Sequence, residues 1–129
     1  MKPFFVFLMA GLLLMILAMP SLATEKNLVI ESDPGADSFT SGAIYRGTFN
    51  VSISGTWEGT VTLQRSFDRV NAAGADDAAK DAASTWRDVS VYTGNVEDVA
   101  YEPEGNVYYR IGVSNGDYTS GTCNMRLGK

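Results

Sequence analysis

Apolar and polar residues alternate one by one along several short segments of this chain, and no other feature of the sequence restricts the fold as strongly. The clearest segment begins at Val107 and ends at Val113, with Tyr109 and Ile111 in the same phase. Because successive side chains of a β-strand point to opposite faces, this period of two predicts strands with one buried face and one solvated face. We therefore expect an all-β domain of antiparallel strands.

The same alternation predicts further strands and the turns between them. Val89 and Val91 share one face of a strand at 86–93, and acidic residues mark a strand at 96–102 as a sheet edge. Asn115-Gly116 is a strong hairpin signal. The remaining predicted strands lie at 49–53, 61–67 and 118–127, and the remaining turns at 55–59, 94–95 and 102–105. This series of short strands favours an antiparallel two-sheet sandwich, immunoglobulin-like or jelly-roll-like, with a small barrel as the alternative.

The first 23 residues have the layout of a secretory signal peptide. Lys2 supplies a positive start, an apolar run extends from Phe4 to Met19, and Ser21 and Ala23 are small residues before a cleavage point. The run is shorter than the about 20 residues that a membrane-spanning helix needs. We expect a hydrophobic signal helix at 1–23, with an uncleaved anchor as the alternative.

Export divides the chain into three parts. After cleavage, residues 24–43 form an N-terminal arm that pairs with a sheet edge or stays mobile, and residues 44–129 form the sandwich. The mature chain is expected in the periplasm, at the cell surface or outside the cell, with no membrane contact. The net charge is −5 and no basic stripe is visible, which disfavours nucleic acid as a partner.

Several kinds of catalytic and cofactor site are excluded by composition. The chain has no histidine, which removes the usual Ser-His-Asp and Cys-His arrangements and His-ligated zinc. No glycine-rich phosphate loop is present, so no cofactor is expected. The single cysteine, Cys123, is in phase with Met125 and Leu127 and is expected to be buried. An enzyme is not expected; the remaining alternative is a hydrolase that uses paired carboxylates such as Glu58 and Glu102.

One segment, residues 69–83, breaks the strand pattern because it is rich in Ala and Asp. We expect a surface loop between two strands, with one or two helical turns. Its acids include Asp76 and Asp77, which are candidate contact residues. Their spacing does not fit an EF-hand calcium loop, so no metal site is predicted.

Aromatic side chains are the other candidates for contact with a ligand or partner. Trp57 falls in a predicted turn and Trp86 begins a strand, whereas Tyr108 and Arg110 are out of phase with the buried residues of their strand. Exposed rings of this kind stack on sugars or anchor proteins. The alternative is that these rings fill or cover the core.

A set of short phrases resembles the small, uncharacterised β-sandwich proteins associated with the virions of tailed bacteriophages and prophages. The phrases lie at 49–57, 59–68, 84–86, 92–93, 102–104, 109–112 and 116–128, so the resemblance covers about 45–129. In such proteins a Ser-x-Asp strand end leads directly into Thr-Trp, as in the Asp-box hairpin. Here Asp68 is separated from Thr85 by the insert 69–83, whose position at a sandwich end suits a contact surface.

The resemblance implies a virion location if the gene is phage-borne, but it carries no enzymatic activity. Together with the composition it predicts a non-enzymatic, exported structural or interaction module that contacts a protein partner or itself through strand edges and loops. The alternative is an exported module that binds surface carbohydrate through exposed aromatic rings.

Overall fold

Residues 24–129 are described by a computed structural model, and they form two antiparallel β-sheets around one hydrophobic core. The predicted signal helix at 1–23 lies outside the described residues. Within residues 24–129, no helix has the length and apolar character needed to cross a membrane. Both sheets and their shared core lie inside this part of the chain.

The described part contains nine strands, one 3₁₀ turn and one short α-helix. In chain order they are β1 (Glu25–Ile30), β2 (Ser38–Phe39), β3 (Ala43–Ile44), β4 (Gly47–Gly59), β5 (Val61–Ser66), the 3₁₀ turn (Arg69–Asn71), α1 (Asp77–Ala82), β6 (Arg87–Tyr92), β7 (Val96–Glu102), β8 (Tyr108–Val113) and β9 (Tyr118–Gly128).

The chain crosses repeatedly between the two sheets. Sheet A has the strand order β1-β9-β4-β7, and sheet B has the order β2-β8-β5-β6, with β3 also paired to β8. Within residues 24–129, β5 and β6 are the consecutive strands that pair with each other. The hairpin predicted at Asn115-Gly116 is wrong, because β8 belongs to sheet B and β9 to sheet A. The turn itself is present, and it reverses the chain at a corner between the sheets.

The core lies between the inner faces of the two sheets, as the alternation predicted. Tyr109, Ile111 and Val113 of β8 face inward from sheet B, and Cys123 and Leu127 of β9 face inward from sheet A. β4 contributes Phe49, Val51 and Ile53, and β5 contributes Val61 and Leu63. The ring of Phe49 lies 4.8 Å from that of Tyr109, which joins the two inner faces.

The turn predicted at 55–59 is also wrong. Residues 55–59 do not form a turn, because β4 continues through them to Gly59 and carries Trp57 on its inward face. Opposite Trp57, Gly121 has φ +88°, and a Cβ there would collide with the Thr56 backbone, so the close approach of β4 and β9 requires glycine at this position.

Val89 and Val91, which were predicted to share one face of their strand, are both at the surface, with 40% and 57% of each side chain exposed. β6 is the edge strand of sheet B, and its register against β5 shifts between Leu63 and Gln64. A bulge of this kind changes the direction in which the following side chains point. The valines therefore stay at the surface.

The N-terminal arm contributes strands to both sheets. β1 pairs with β9 over its whole length and forms one edge of sheet A, while β2 and β3 both pair with β8. Of the two outcomes that the sequence left open, pairing with a sheet edge is the one observed. β7 forms the opposite edge of sheet A, as its acidic residues predicted.

Candidate functional site

β5 and β6 still pair as a hairpin although the insert 69–83 separates them, and hydrogen bonds join the two ends of the insert. The Ser66 hydroxyl donates to Asp68 Oδ1 at 2.7 Å, and the Thr85 N–H donates to the same oxygen at 2.8 Å. These hydrogen bonds, that of Ser66 first, lower the pKa of Asp68 to about 2. One carboxylate thus joins the two ends of the insert.

The insert folds back onto the outer face of sheet B. Arg69 is 4% exposed, and its Nε donates to Asp81 Oδ1 at 2.6 Å. Its Nη2 donates to Asp77 at 3.1 Å, and its guanidinium lies 4.9 Å from the Tyr108 ring. Asp81 Oδ2 also accepts from the Gly42 N–H at 3.0 Å. The helical turns of the insert were predicted, but its packing against sheet B was not.

Arg110 lies at the centre of the same face. Its guanidinium is 4.3 Å from the ring of Phe39 and 4.3 Å from that of Trp86. Its Nε donates to Gln64 Oε1 at 2.8 Å, and the Trp86 indole donates to the Asp81 carbonyl at 2.9 Å. Burial lowers the pKa of Arg110 from its usual value. We call Arg69, Asp81, Trp86, Tyr108 and Arg110 the insert cluster.

Most of the candidate residues from the sequence lie in or next to this cluster, where they contact other residues of the same chain. Trp86, Tyr108 and Arg110 stack or pack as described, and Asp77 pairs with Arg69. Asp76 instead accepts from the Ala79 N–H at 2.8 Å and caps α1.

Trp57 is separate from the insert cluster. It packs against the core from sheet A, and its indole donates to Asn95 at 2.8 Å. Sequence reasoning missed Arg69, Phe39 and Gln64. The alternation along β5 marks Gln64 as outward-facing, opposite Arg110 in the register, but nothing in the pattern pointed to Phe39 or Arg69.

A groove of about 500 Å³ runs between α1 and β2, beside the cluster. Its polar lining includes Asp37, Asp77, Asp81 and Arg110. Asp37 accepts from the Asn115 N–H at 2.7 Å, and the other two carboxylates bind Arg69. The carboxylates of this groove therefore make contacts within the chain.

The carboxylates that the hydrolase alternative needs lie far apart. Glu58 lies near the C-terminal end of β4, paired with Ser120. Glu102 lies on β7, paired with Gly47 at the opposite end of β4. Glu102 is 4% exposed and accepts from the Tyr109 hydroxyl at 2.6 Å. Burial, with a smaller effect of Glu102, raises the pKa of Tyr109 to about 12. These two acids do not form a catalytic pair.

The thiol of Cys123 is fully buried, as its phase predicted. Burial raises its pKa to about 11. Because the thiolate is the reactive form, this cysteine is poorly suited to nucleophilic chemistry at neutral pH.

The most exposed apolar side chains lie at the edge of sheet A. Val99 is 67% exposed and Tyr101 is 70% exposed, above every other large hydrophobic residue in the described part. Both belong to β7, and Asp98 lies beside them: its Oδ1 accepts from the Val99 N–H at 2.8 Å and its Oδ2 accepts from the Tyr92 hydroxyl at 3.2 Å. We call Glu97, Asp98, Val99 and Tyr101 the β7 edge.

The outer face of sheet A carries polar side chains along its central strands and the exposed side chains of Val29, Val99 and Tyr101 on its edge strands. Arg126 crosses it, pairing with Glu25 at 3.2 Å on β1 and donating to Asn50 on β4. Next to this bridge is a depression of about 330 Å³. Its polar lining consists of Asn27, Ser52, Ser54, Asn124 and Arg126.

Comparisons with known proteins add no function, because no family model, curated protein or solved structure matches the chain.

Proposed function

We propose that this chain is a non-enzymatic, exported interaction module that binds a protein partner, or a second copy of itself, through the β7 edge. The observation that carries the proposal is the exposure of Val99 and Tyr101, at 67% and 70%, beside a backbone that pairs with β4 on one side only. In this proposal the two sheets form an immunoglobulin-like or jelly-roll-like sandwich of the phage type that the sequence resembles.

An edge strand offers unpaired N–H and C=O groups to an incoming strand. Backbone hydrogen bonds then supply affinity, and the alternate side chains supply specificity. On β7 the outward side chains include Val99 and Tyr101, so an added strand would bury apolar surface as well as pair its backbone. The insert was the other candidate surface, but its Arg69, Asp77 and Asp81 side chains pair with one another within the chain.

The proposal is tested by placing a photo-crosslinking residue at Tyr101 in the full chain, in the cells that produce it. A matched control carries the same residue at Thr122, which is exposed on β9. We expect a discrete adduct from position 101, stronger than from position 122, that is lost when Val99→Lys is added. Adducts of equal strength from both positions, or adducts that Val99→Lys leaves unchanged, would contradict the proposal.

The solution mass of residues 24–129, measured by light scattering over a range of concentrations, identifies which partner is involved. A discrete oligomer that Val99→Lys dissociates indicates a second copy. A monomer with the crosslink retained indicates a different protein.

Carbohydrate binding is a second candidate, favoured by the depression on sheet A. Its hydroxyl, amide and guanidinium groups match the hydroxyls of a sugar, and Tyr101 is a free ring on the same sheet. The rings first considered, Trp57, Trp86 and Tyr108, are engaged within the chain.

For this candidate we expect retention on a glycan surface to fall when Asn124→Ala or Tyr101→Ala is introduced. Trp86→Phe should leave retention unchanged, because that ring is stacked on Arg110. Retention that is insensitive to both Asn124→Ala and Tyr101→Ala would exclude this face.

A further inference from the structure

We infer that Asp98 makes the β7 edge selective for an extended, basic segment of a partner protein and selects against pairing with a second copy of this chain. This inference rests on the proposed role of β7 as the contact edge. It adds the chemistry of the partner and the residue that selects it.

The hydrogen bond to Asp98 shows which backbone groups of β7 face outward. The Val99 N–H donates to the Asp98 side chain at 2.8 Å rather than serving the ladder with β4. In an antiparallel pair the backbone groups alternate between facing the neighbour and facing away. Glu97, Val99 and Tyr101 therefore present their N–H and C=O groups to an incoming strand.

Asp98 occupies the central position of this edge. Its carboxylate accepts the Val99 N–H and is held from the other side by the Tyr92 hydroxyl at 3.2 Å. An incoming strand must displace the carboxylate before its own carbonyl can take that N–H. The displaced charge then lies at a newly covered edge, where a lone carboxylate is unfavourable unless a cation or donor pairs with it.

The charges of β7 favour a basic partner. Glu97 and Asp98 are adjacent, and β7 carries no Lys or Arg. In an antiparallel pairing, a Lys or Arg opposite Asp98 would compensate the displaced carboxylate, since opposite charges on facing residues stabilise a sheet. Apolar residues opposite Val99 and Tyr101 would cover the exposed surface. From its N-terminal end, the partner strand would thus read apolar, any residue, apolar, basic.

A second copy lacks this chemistry. Symmetric pairing about Val99 would place Ala100 of the other copy opposite Asp98, so neither displaced carboxylate would face a cation. The net charge of −5 on each chain adds a general repulsion. Natural proteins use charges on edge strands to prevent this kind of association.

The test uses two blocked peptides that differ at one position, Gly-Thr-Val-Thr-Val-Lys-Thr-Gly and the same sequence with Gln in place of Lys. Binding to residues 24–129 is followed by NMR, through the amides of Glu97, Val99 and Tyr101. We expect the Lys peptide to bind the wild type about two- to five-fold more tightly than the Gln peptide, the range typical of a single exposed charge pair. Asp98→Ala should abolish this preference and bind the Gln peptide more tightly than the wild type does.

Asp117→Ala is the matched control, because it removes one exposed carboxylate at the β8–β9 corner. It should leave the Lys preference intact. Asp98→Asn provides a second variant that keeps the side-chain size. By light scattering, the wild type should remain monomeric, whereas Asp98→Ala should self-associate at lower concentration.

A Lys preference that survives Asp98→Ala, or a failure of both peptides to perturb β7, would overturn the inference. A wild-type dimer that Val99→Lys dissociates would also overturn it, while supporting the proposed function with a second copy as the partner. Absence of peptide binding, self-association and a position-101 crosslink would overturn both.

Discussion

The outer faces of the two sheets differ in what covers them. On sheet B, both faces of β5 are buried: Thr62, Gln64 and Ser66 point outward but are at most 9% exposed. On sheet A, the outward residues Ser54, Thr56 and Glu58 of β4 lie open to solvent. The segment that interrupts the strand pattern packs against the outer face of sheet B, whereas the outward residues of β4 in sheet A stay exposed.

This difference assigns separate roles to the two regions. The insert cluster contains a buried ion pair and a stacked guanidinium, which lose stability when one partner is removed. The β7 edge contains exposed side chains, whose replacement changes stability little. Substitutions in the two regions should therefore separate folding from binding.

The largest expected effect is that of Asp81→Ala, because it leaves the buried Arg69 guanidinium without its closest partner. We expect the free energy of unfolding to fall by about 3–5 kcal/mol. Asp77→Ala removes a carboxylate from the same arginine, but this side chain is 70% exposed, so the loss should stay below about 1 kcal/mol. Urea unfolding of both variants measures the difference, and equal losses would mean that the insert does not pack as described.

A smaller loss is expected for Gly42→Ala. The added Cβ would lie 2.8 Å from the Trp86 ring and 3.0 Å from Asp81 Oδ1, and the ring is held by its stack on Arg110. We expect a destabilisation of about 1–3 kcal/mol. Gly94→Ala is the control, since nothing lies within 4 Å of a Cβ there. A neutral Gly42→Ala, measured by thermal or urea unfolding, would show that the cluster is loose.

Arg126→Ala tests the outer face of sheet A, where Arg126 and Glu25 form an ion pair that is exposed to solvent, unlike the pair of Arg69 and Asp81. Its bridge to Glu25 is 39% and 45% exposed on the two sides. Exposed pairs contribute little, so the free energy of unfolding should change by less than about 1 kcal/mol. A loss as large as that of Asp81→Ala would remove the contrast between the two faces.

The last effect is confined to acid pH and concerns Asp68 at the base of the insert. Its pKa is about 2 in the folded chain and about 4 when unfolded. Because the folded value is the lower one, the contribution of Asp68 is complete above about pH 4 and is lost as the pH falls through 2. Asp68→Asn should therefore flatten the pH dependence of stability between about pH 4 and 2. An unchanged slope would mean that the carboxylate does not join Ser66 and Thr85.

The alternation of side chains predicted much of the fold, because burial of one strand face is encoded in neighbouring residues. It correctly placed Tyr109, Cys123 and Leu127 in the core and the acidic β7 at an edge. It failed at Asn115-Gly116, since a tight turn determines where a chain reverses but not whether its two strands share a sheet.

The candidate site was predicted less completely. The phase of Tyr108 and Arg110 indicated an outward face, but the residues that engage them come from distant positions. Phe39 lies 71 positions before Arg110 in the chain, and Arg69 reaches the cluster only because the insert folds back. Contacts of this kind depend on tertiary packing, which local periodicity does not contain. The hydrogen bond from the Val99 N–H to Asp98 likewise depends on which backbone groups of β7 face away from β4.

Amide hydrogen exchange measured by NMR on residues 24–129 is the most direct test of the contrast between the packed insert and the free β7 edge. We predict slow exchange for the N–H groups of Gly42 and Thr85, which donate to Asp81 and Asp68. We predict fast exchange for Glu97 and Tyr101, whose N–H groups face outward from β7. Fast exchange at Gly42 and Thr85 together with protection at Glu97 and Tyr101 would contradict the account, because the insert would then be the free region and the edge would already be covered.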